Sequence, residues 1–292
     1  MEDEEGKIWF ARDTVVYWFD RNTRDIRRYK MGLRWPKEEY NVRTHVGTFF
    51  EDEEKNIWVS TPVALSRLNR HSGEFTHYYF PDSVGYTSGI AWPPLSIQKD
   101  AHGFLWTGGY KSLYRLNPVT GKIIAFKPGN TASQQEDNAT ILSLCLDPFQ
   151  PDKILWLATP KGLIKFYLPI EPAEIANPRY KIYTTADGLP NNHVYAVLDD
   201  SEGNLWLSTN NGLSKFNPQT EIFKNYTVDE GLQHEEFNTA SFHKARDGEL
   251  FFGGIKGINF FYPEKLRDNP HIPPIVLTEF RINNQKVDCL LY

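Results

Sequence analysis

Five tryptophans hold the same place in a repeated phrase, and their spacing limits what this chain can become. They are Trp9 in GKIWFA, Trp58 in KNIWVS, Trp106 in GFLWTG, Trp156 in KILWLA and Trp206 in GNLWLS, separated by 49, 48, 50 and 50 residues. A sixth copy, GELFFGG, puts Phe251 in that place 45 residues further on. Trp18, Trp35 and Trp92 fall outside the register. After the aromatic position comes a turn of small residues and a further strand-like run: STPVALSRLN, GGYKSLYRLN, ATPKGLIKFY, STNNGLSKFN and GGIKGINFFY. Before it stands an acidic or glycine turn, EDEEGK, EDEEKN, KDAHGF, DDSEGN or ARDGEL, which the fourth copy replaces with the longer DPFQPDK.

A repeat of this length built from short strands is the mark of a β-propeller, one four-stranded blade per copy. In the fifth copy the inner strand is read at 193–198, the second at 204–208, the third at 212–216 and the outer at 222–227. A single blade cannot bury both of its faces. An aromatic on the second strand fills the space to the next blade, and each such burial is worth about 2–3 kcal/mol. Trp9, Trp58, Trp106, Trp156, Trp206 and Phe251 are therefore assigned a packing role. Helical repeats of similar period are excluded, because Gly, Asn, Asp or Pro breaks the β-branched and aromatic runs every six to ten residues. The 14% aromatic content and the 20 glycines and 19 prolines agree with many short strands.

With 32 basic and 37 acidic residues the net charge is −5. No basic stripe is available for a nucleic-acid backbone. Cys145 and Cys289 match no zinc or redox spacing, and Cys145 lies in the apolar run TILSLCL, where a buried thiol is expected. The sequence has no signal-peptide pattern and no apolar run long enough to span a bilayer. The first copy starts at its turn, so its blade is expected to lack an inner strand. The sixth has the inner strand FNTASFHKA and two more. The Pro-rich PEKLRDNPHIPP reads as a linker and IVLTEFRINNQKV as one or two strands opening a second, incomplete domain. The expected division is 1–266 propeller, 267–274 linker and 275–292 the start of the next domain, in a fragment of a longer protein.

The phrase GNLWLSTNNGLSKFN, with DGLPNNHVYAVLDD before it, resembles the two-component regulator propeller repeat. The stretch from EGLQHEEFNTASF to FFYPEKL resembles that family's last blade, and PPIVLTEFRINNQKV resembles the first strands of the triple-tyrosine domain, an immunoglobulin-like sandwich. The resemblance implies the periplasmic sensor region of a hybrid histidine kinase, with seven-bladed rings, oligosaccharide ligands and a homodimeric intact receptor. No cofactor, no nucleic-acid partner and no direct membrane contact are expected for this chain. The sequence departs from the family pattern in having six recognisable copies, no complete sandwich and no kinase.

In a propeller the outer-to-inner loops and the second-to-third turns emerge on one face. On that face this sequence carries Trp35, Tyr40, Arg43 and His45; Tyr86 and Trp92; Tyr110 and Lys111; Asn191, Asn192 and His193; and His234, Glu235 and Glu236. Aromatic rings beside Asn, Arg and Glu suit sugars, with a ring against the C–H face and polar groups on the hydroxyls. The bland alternative is that these are ordinary loop residues. No catalytic residues and no metal ligands are assigned: Glu235 and Glu236 are adjacent in an extended segment and point apart, and the eight histidines show no HxH or HExxH spacing. A propeller lyase or hydrolase, with distant histidines such as His45 and His193 brought to the axis, stays open as an alternative. So does a protein-interaction or dimerisation scaffold. The acidic turns lack the spacing of a calcium loop and are read as hairpin chemistry.

Overall fold

The computed structural model describes residues 1–33, 45–81, 93–109, 112–128, 140–267, 281–282 and 285–286. Six antiparallel sheets follow one another along the chain as the blades of a propeller. Blade one holds β1 (Ile8–Arg12), β2 (Val15–Phe19) and β3 (Ile26–Lys30). Blade two holds β4 (Phe49–Glu51), β5 (Ile57–Ser60), β6 (Ala64–Leu68) and β7 (Phe75–Tyr79). Blade three holds β8 (Ile97–Lys99), β9 (Leu105–Gly109), β10 (Ser112–Leu116) and β11 (Ile123–Phe126). Blade four holds β12 (Ser143–Leu146), β13 (Ile154–Thr159), β14 (Gly162–Tyr167) and β15 (Tyr180–Tyr183), with the short helix α1 (Pro172–Ala176) before its last strand. Blade five holds β16 (Val194–Asp199), β17 (Leu205–Thr209), β18 (Gly212–Asn217) and β19 (Ile222–Tyr226). Blade six holds β20 (Phe237–Lys244), β21 (Leu250–Gly254) and β22 (Gly257–Phe261). A separate short hairpin pairs β23 (Arg281–Ile282) with β24 (Gln285–Lys286).

Blade five lies within one residue of its sequence reading at every strand boundary. Blade one differs from its reading in one respect. Met1 and Trp9 exchange both backbone hydrogen bonds, at 2.7 and 3.0 Å, and Glu2 bridges Ile8. Two residues therefore stand where an absent inner strand is expected, because the turn at Asp3 folds the chain end back onto β1.

Packing between blades explains the repeat. Trp9, Trp58, Trp106, Trp156 and Trp206 are all fully buried. Trp9 joins Ile57 and Val59 of the next blade, Trp58 joins Leu105, Trp106 joins Leu155, and Trp206 joins Leu250 and Phe252. Each indole N–H donates to the aspartate that opens the preceding turn: Trp9 to Asp3 (2.8 Å), Trp58 to Asp52 (2.8 Å), Trp106 to Asp100 (2.6 Å), Trp156 to Asp147 (2.8 Å) and Trp206 to Asp200 (2.9 Å). The same aspartates are buried and accept backbone N–H groups of their own turn, as Asp100 does from His102 and Phe104. The acidic turns are thus hairpin chemistry, as read, and also the fixed partner of the buried indole. In the sixth copy Ala245 occupies the aspartate place and Phe251 the tryptophan place, so donor and acceptor are lost together.

A second regularity lies further out. The outer strand of each of the first five blades lays an aromatic ring on its tryptophan: Tyr29 on Trp9, Tyr78 on Trp58, Phe126 on Trp106, Tyr183 on Trp156 and Tyr226 on Trp206, at centroid distances of 5.3 to 6.2 Å. In blades two to five the third strand adds a cation, Arg67, Arg115, Lys165 or Lys215, within 5.8 Å of the same ring. Cys145 is buried against this framework, and burial pushes its thiol pKa up. Cys289 lies outside the described residues.

Candidate functional site

The loops entering blades five and six are built alike, and local chemistry fixes both. Thr184 and Asp187 form a reciprocal capping box around one turn of 3-10 helix that ends at Gly188. Thr227 and Glu230 do the same around a turn ending at Gly231. Both glycines take a left-handed backbone, which redirects each chain towards the inner strand. The hairpin between β17 and β18 rises beside them. Its Gly212 donates to the Glu235 carbonyl at 2.6 Å, tying blade five to the loop of blade six. A Cβ on Gly212 would meet the Tyr226 carbonyl at 2.1 Å, so no other residue fits there.

Of the sequence candidates, Trp35, Tyr40, Arg43, Tyr86, Trp92, Tyr110 and Lys111 lie outside the described residues. His45 is exposed ahead of the inner strand of blade two. Asn191 and Asn192 spend their side-chain oxygens on the loop itself, accepting from His193 N and Thr185 N at 2.8 Å each. That part of the set matches the bland reading. His234 accepts from Glu236 N through Nδ1 at 3.1 Å, which assigns its proton to Nε2. Glu235 and Glu236 are exposed.

His193 is joined by a residue the sequence reading did not select. Tyr195, on β16, sets its ring 4.4 Å from the imidazole of His193 and donates its hydroxyl to Asn210 Oδ1 at 2.5 Å. Partial burial, and then the charge of Glu236, hold the Tyr195 phenol pKa above its ordinary value. Burial holds His193 below its ordinary value, so at neutral pH the imidazole is uncharged. Asn210 keeps its amide N–H groups to donate outwards. The result is a half-exposed ring pair with an amide at its edge, on the rim of blade five and within the electrostatic influence of Glu236 from the loop of blade six. Asn210 occupies the same repeat position as the predicted Tyr110, so register alone could have found it. Tyr195 stood in the quoted inner strand VYAVL, but alternation along a strand does not say which residues reach the rim.

This arrangement suits binding. Among the described residues there is no cluster of three or more His, Cys, Asp or Glu able to hold a metal ion. His45 and His193 belong to loops of different blades, the second and the fifth. No described helix is long and apolar enough to cross a membrane.

The family model of the two component regulator propeller matches residues 188–211, which include the loop, inner strand and hairpin of this site. Histidine kinase P4 of Formosa agariphila is 26% identical over 97% of this chain, and the chain spans 20% of that protein. Among solved structures, the extracellular domain of a hybrid two component system from B. thetaiotaomicron is similar with a TM-score of 0.68 and 24% identity, over 99% of this chain and 38% of that one. Virginiamycin B lyase from Staphylococcus aureus is similar with a TM-score of 0.59 and 11% identity, over 91% of this chain and 84% of that one. The two structural likenesses are likenesses of fold.

Proposed function

We propose that this chain, which carries the two-component regulator propeller repeat, is the ligand-sensing part of an extracytoplasmic receptor and binds an oligosaccharide on its loop face. The observation that carries the reading is the His193–Tyr195 ring pair with Asn210 at its edge and within the electrostatic influence of Glu236. A sugar offers a C–H face to the rings and hydroxyls to the amide and the carboxylate. The scaffold beneath is rigid and the loops are capped, so little ordering is required on binding. The histidine kinase relative supports a signalling context, and the extracellular structural relative supports a location outside the cytoplasm.

In this reading the chain acts by binding and not by catalysis. The linker and immunoglobulin-like domain expected at 267–274 and 275–292 fall almost wholly outside the described residues; in this reading they carry the signal onwards in a homodimeric receptor. The glycan shifts the signalling equilibrium only as far as it prefers one arrangement of those parts over the other. Titration calorimetry with a panel of plant and algal oligosaccharides tests the proposal. One glycan class should bind saturably, and Tyr195→Ala should weaken it about tenfold, the loss of one ring contact with its hydrogen bond. Heat signals absent across the panel, or unchanged in the variant, would refute it.

A further inference from the structure

Blade six ends differently from the blades before it. In blades one, two, three and five the chain leaves the third strand through a side-chain-capped turn led by Asp20, Asn69, Asn117 or Asn217. Four residues later a left-handed residue, Arg24, Gly73, Gly121 or Glu221, with φ from 57° to 75°, reverses the chain into the outer strand. In blade six Tyr262 takes the place of the leading Asn or Asp, and Leu266 takes the place of the left-handed residue with φ −71° and ψ 121°. The chain therefore does not reverse at Leu266. Pro263 and Leu266 share a surface recess with Ile222, Lys224 and Tyr226 of blade five. Among the described residues no strand pairs with the outer side of β22.

The surface this leaves is apolar. Among the described residues no outer-strand ring lies on Phe251, and in the place of the cation of blades two to five it stacks with Phe260 at 5.8 Å. Phe260 and Ile258 are each 63% exposed. Phe251 and Ile258, together with Ser241, His243 and Gly253, line a recess of about 480 Å³. Across the ring junction, Phe10 of blade one is 42% exposed, whereas its counterparts in blades two to six are buried. Among the described residues five apolar clusters join successive blades, and none joins blade six to blade one.

The structure assigns the outer edge of β22 as an acceptor for a separate extended polypeptide strand, antiparallel to β22, with an aromatic residue opposite Ile258 whose ring covers Phe251. The register follows from the other blades. The stacking ring always pairs with the same third-strand position: Tyr29 with Val16, Tyr78 with Leu65, Phe126 with Leu113, Tyr183 with Leu163 and Tyr226 with Leu213. That position in blade six is Ile258, opposite Gly253. An added strand would satisfy the backbone groups of the edge that no described strand pairs with, and continue the row of inter-blade interfaces.

The probe is a synthetic peptide copying 220–229, TEIFKNYTVD, whose tyrosine falls opposite Ile258 when its strand aligns as β19 does in blade five. Fluorescence anisotropy with the full chain should show saturable binding. Replacing that tyrosine by serine, or making Phe251→Ala in the protein, should weaken it at least tenfold. Ile258→Asp, which puts a charge at the position the aromatic residue faces, serves as a second variant in case Phe251→Ala perturbs folding, and should also weaken it. Absence of binding, or binding indifferent to the tyrosine, overturns the assignment. So does a concentration-dependent dimer that Phe251→Ala abolishes, since the occupant is then a second copy.

Discussion

At the scale of single residues, the unit of this fold is a pair: a buried aspartate and the indole it holds. A buried carboxylate that loses its donor keeps its desolvation cost, so cutting the pair from either side is expensive. We predict that Trp106→Phe and Asp100→Ala each destabilise the chain by about 2–3 kcal/mol. The double variant, which copies the Phe251 and Ala245 of the sixth copy, should cost at least about 1 kcal/mol less than their sum. A double-mutant cycle by urea denaturation measures this, and strict additivity would contradict the pairing. The aspartate stands six residues before the tryptophan in four copies and nine before it in the fourth. The tryptophans were legible as packing and the turns as hairpins. Their partnership was not, because an acidic turn with an Asx bond already has a sufficient local explanation.

At the scale of elements, strand boundaries could be read closely because turn chemistry sets them. The five-residue offset from Asn217 to Ile222, for instance, is an Asn-capped turn closed by Glu221. Less visible was the work Glu221 does between blades. It accepts from Lys181 at 2.6 Å and from the Tyr183 hydroxyl at 2.6 Å, with Lys165 at 3.5 Å, all in blade four. These contacts, the Lys181 hydrogen bond first and then that of Tyr183, hold its pKa down from the ordinary 4.5 to about 2. A depressed carboxylate contributes stability above its unfolded pKa and loses that contribution as pH falls through the folded one. Glu221→Gln should therefore lower the melting temperature at pH 7, and the gap to the parent chain should close between about pH 4.5 and 2. Because the side chain is 37% exposed, the effect at neutral pH should not exceed about 1 kcal/mol after solvent screening. A gap that widens on acidification would contradict this assignment.

At the scale of the whole molecule, the described residues of blades six and one meet through hydrogen bonds and not through a core. Arg246 of blade six donates to the carbonyls of Glu2 and Asp3, at 3.1 and 2.6 Å. Arg246→Ala should speed amide exchange in β1 and β21 while leaving β13 and β17 protected, because the latter lie within continuous inter-blade clusters. Uniform exchange in both strand pairs would mean that the junction is no weaker than the rest. Six blades could be counted from the sequence, but this junction could not, since it depends on residues 243 and 244 positions apart. The candidate site was legible in the same partial way. Register placed His193 and Glu236 among the loop candidates, while Tyr195 and Asn210 emerged only once two blades were placed side by side.

The measurement that tests the central claim most directly is hydrogen–deuterium exchange of the chain with and without a bound oligosaccharide. The account predicts protection confined to 190–195, 209–212 and 233–236, and its loss in Tyr195→Ala. Protection at the aspartate turns on the opposite face, or none at the loops of blades five and six, would contradict it.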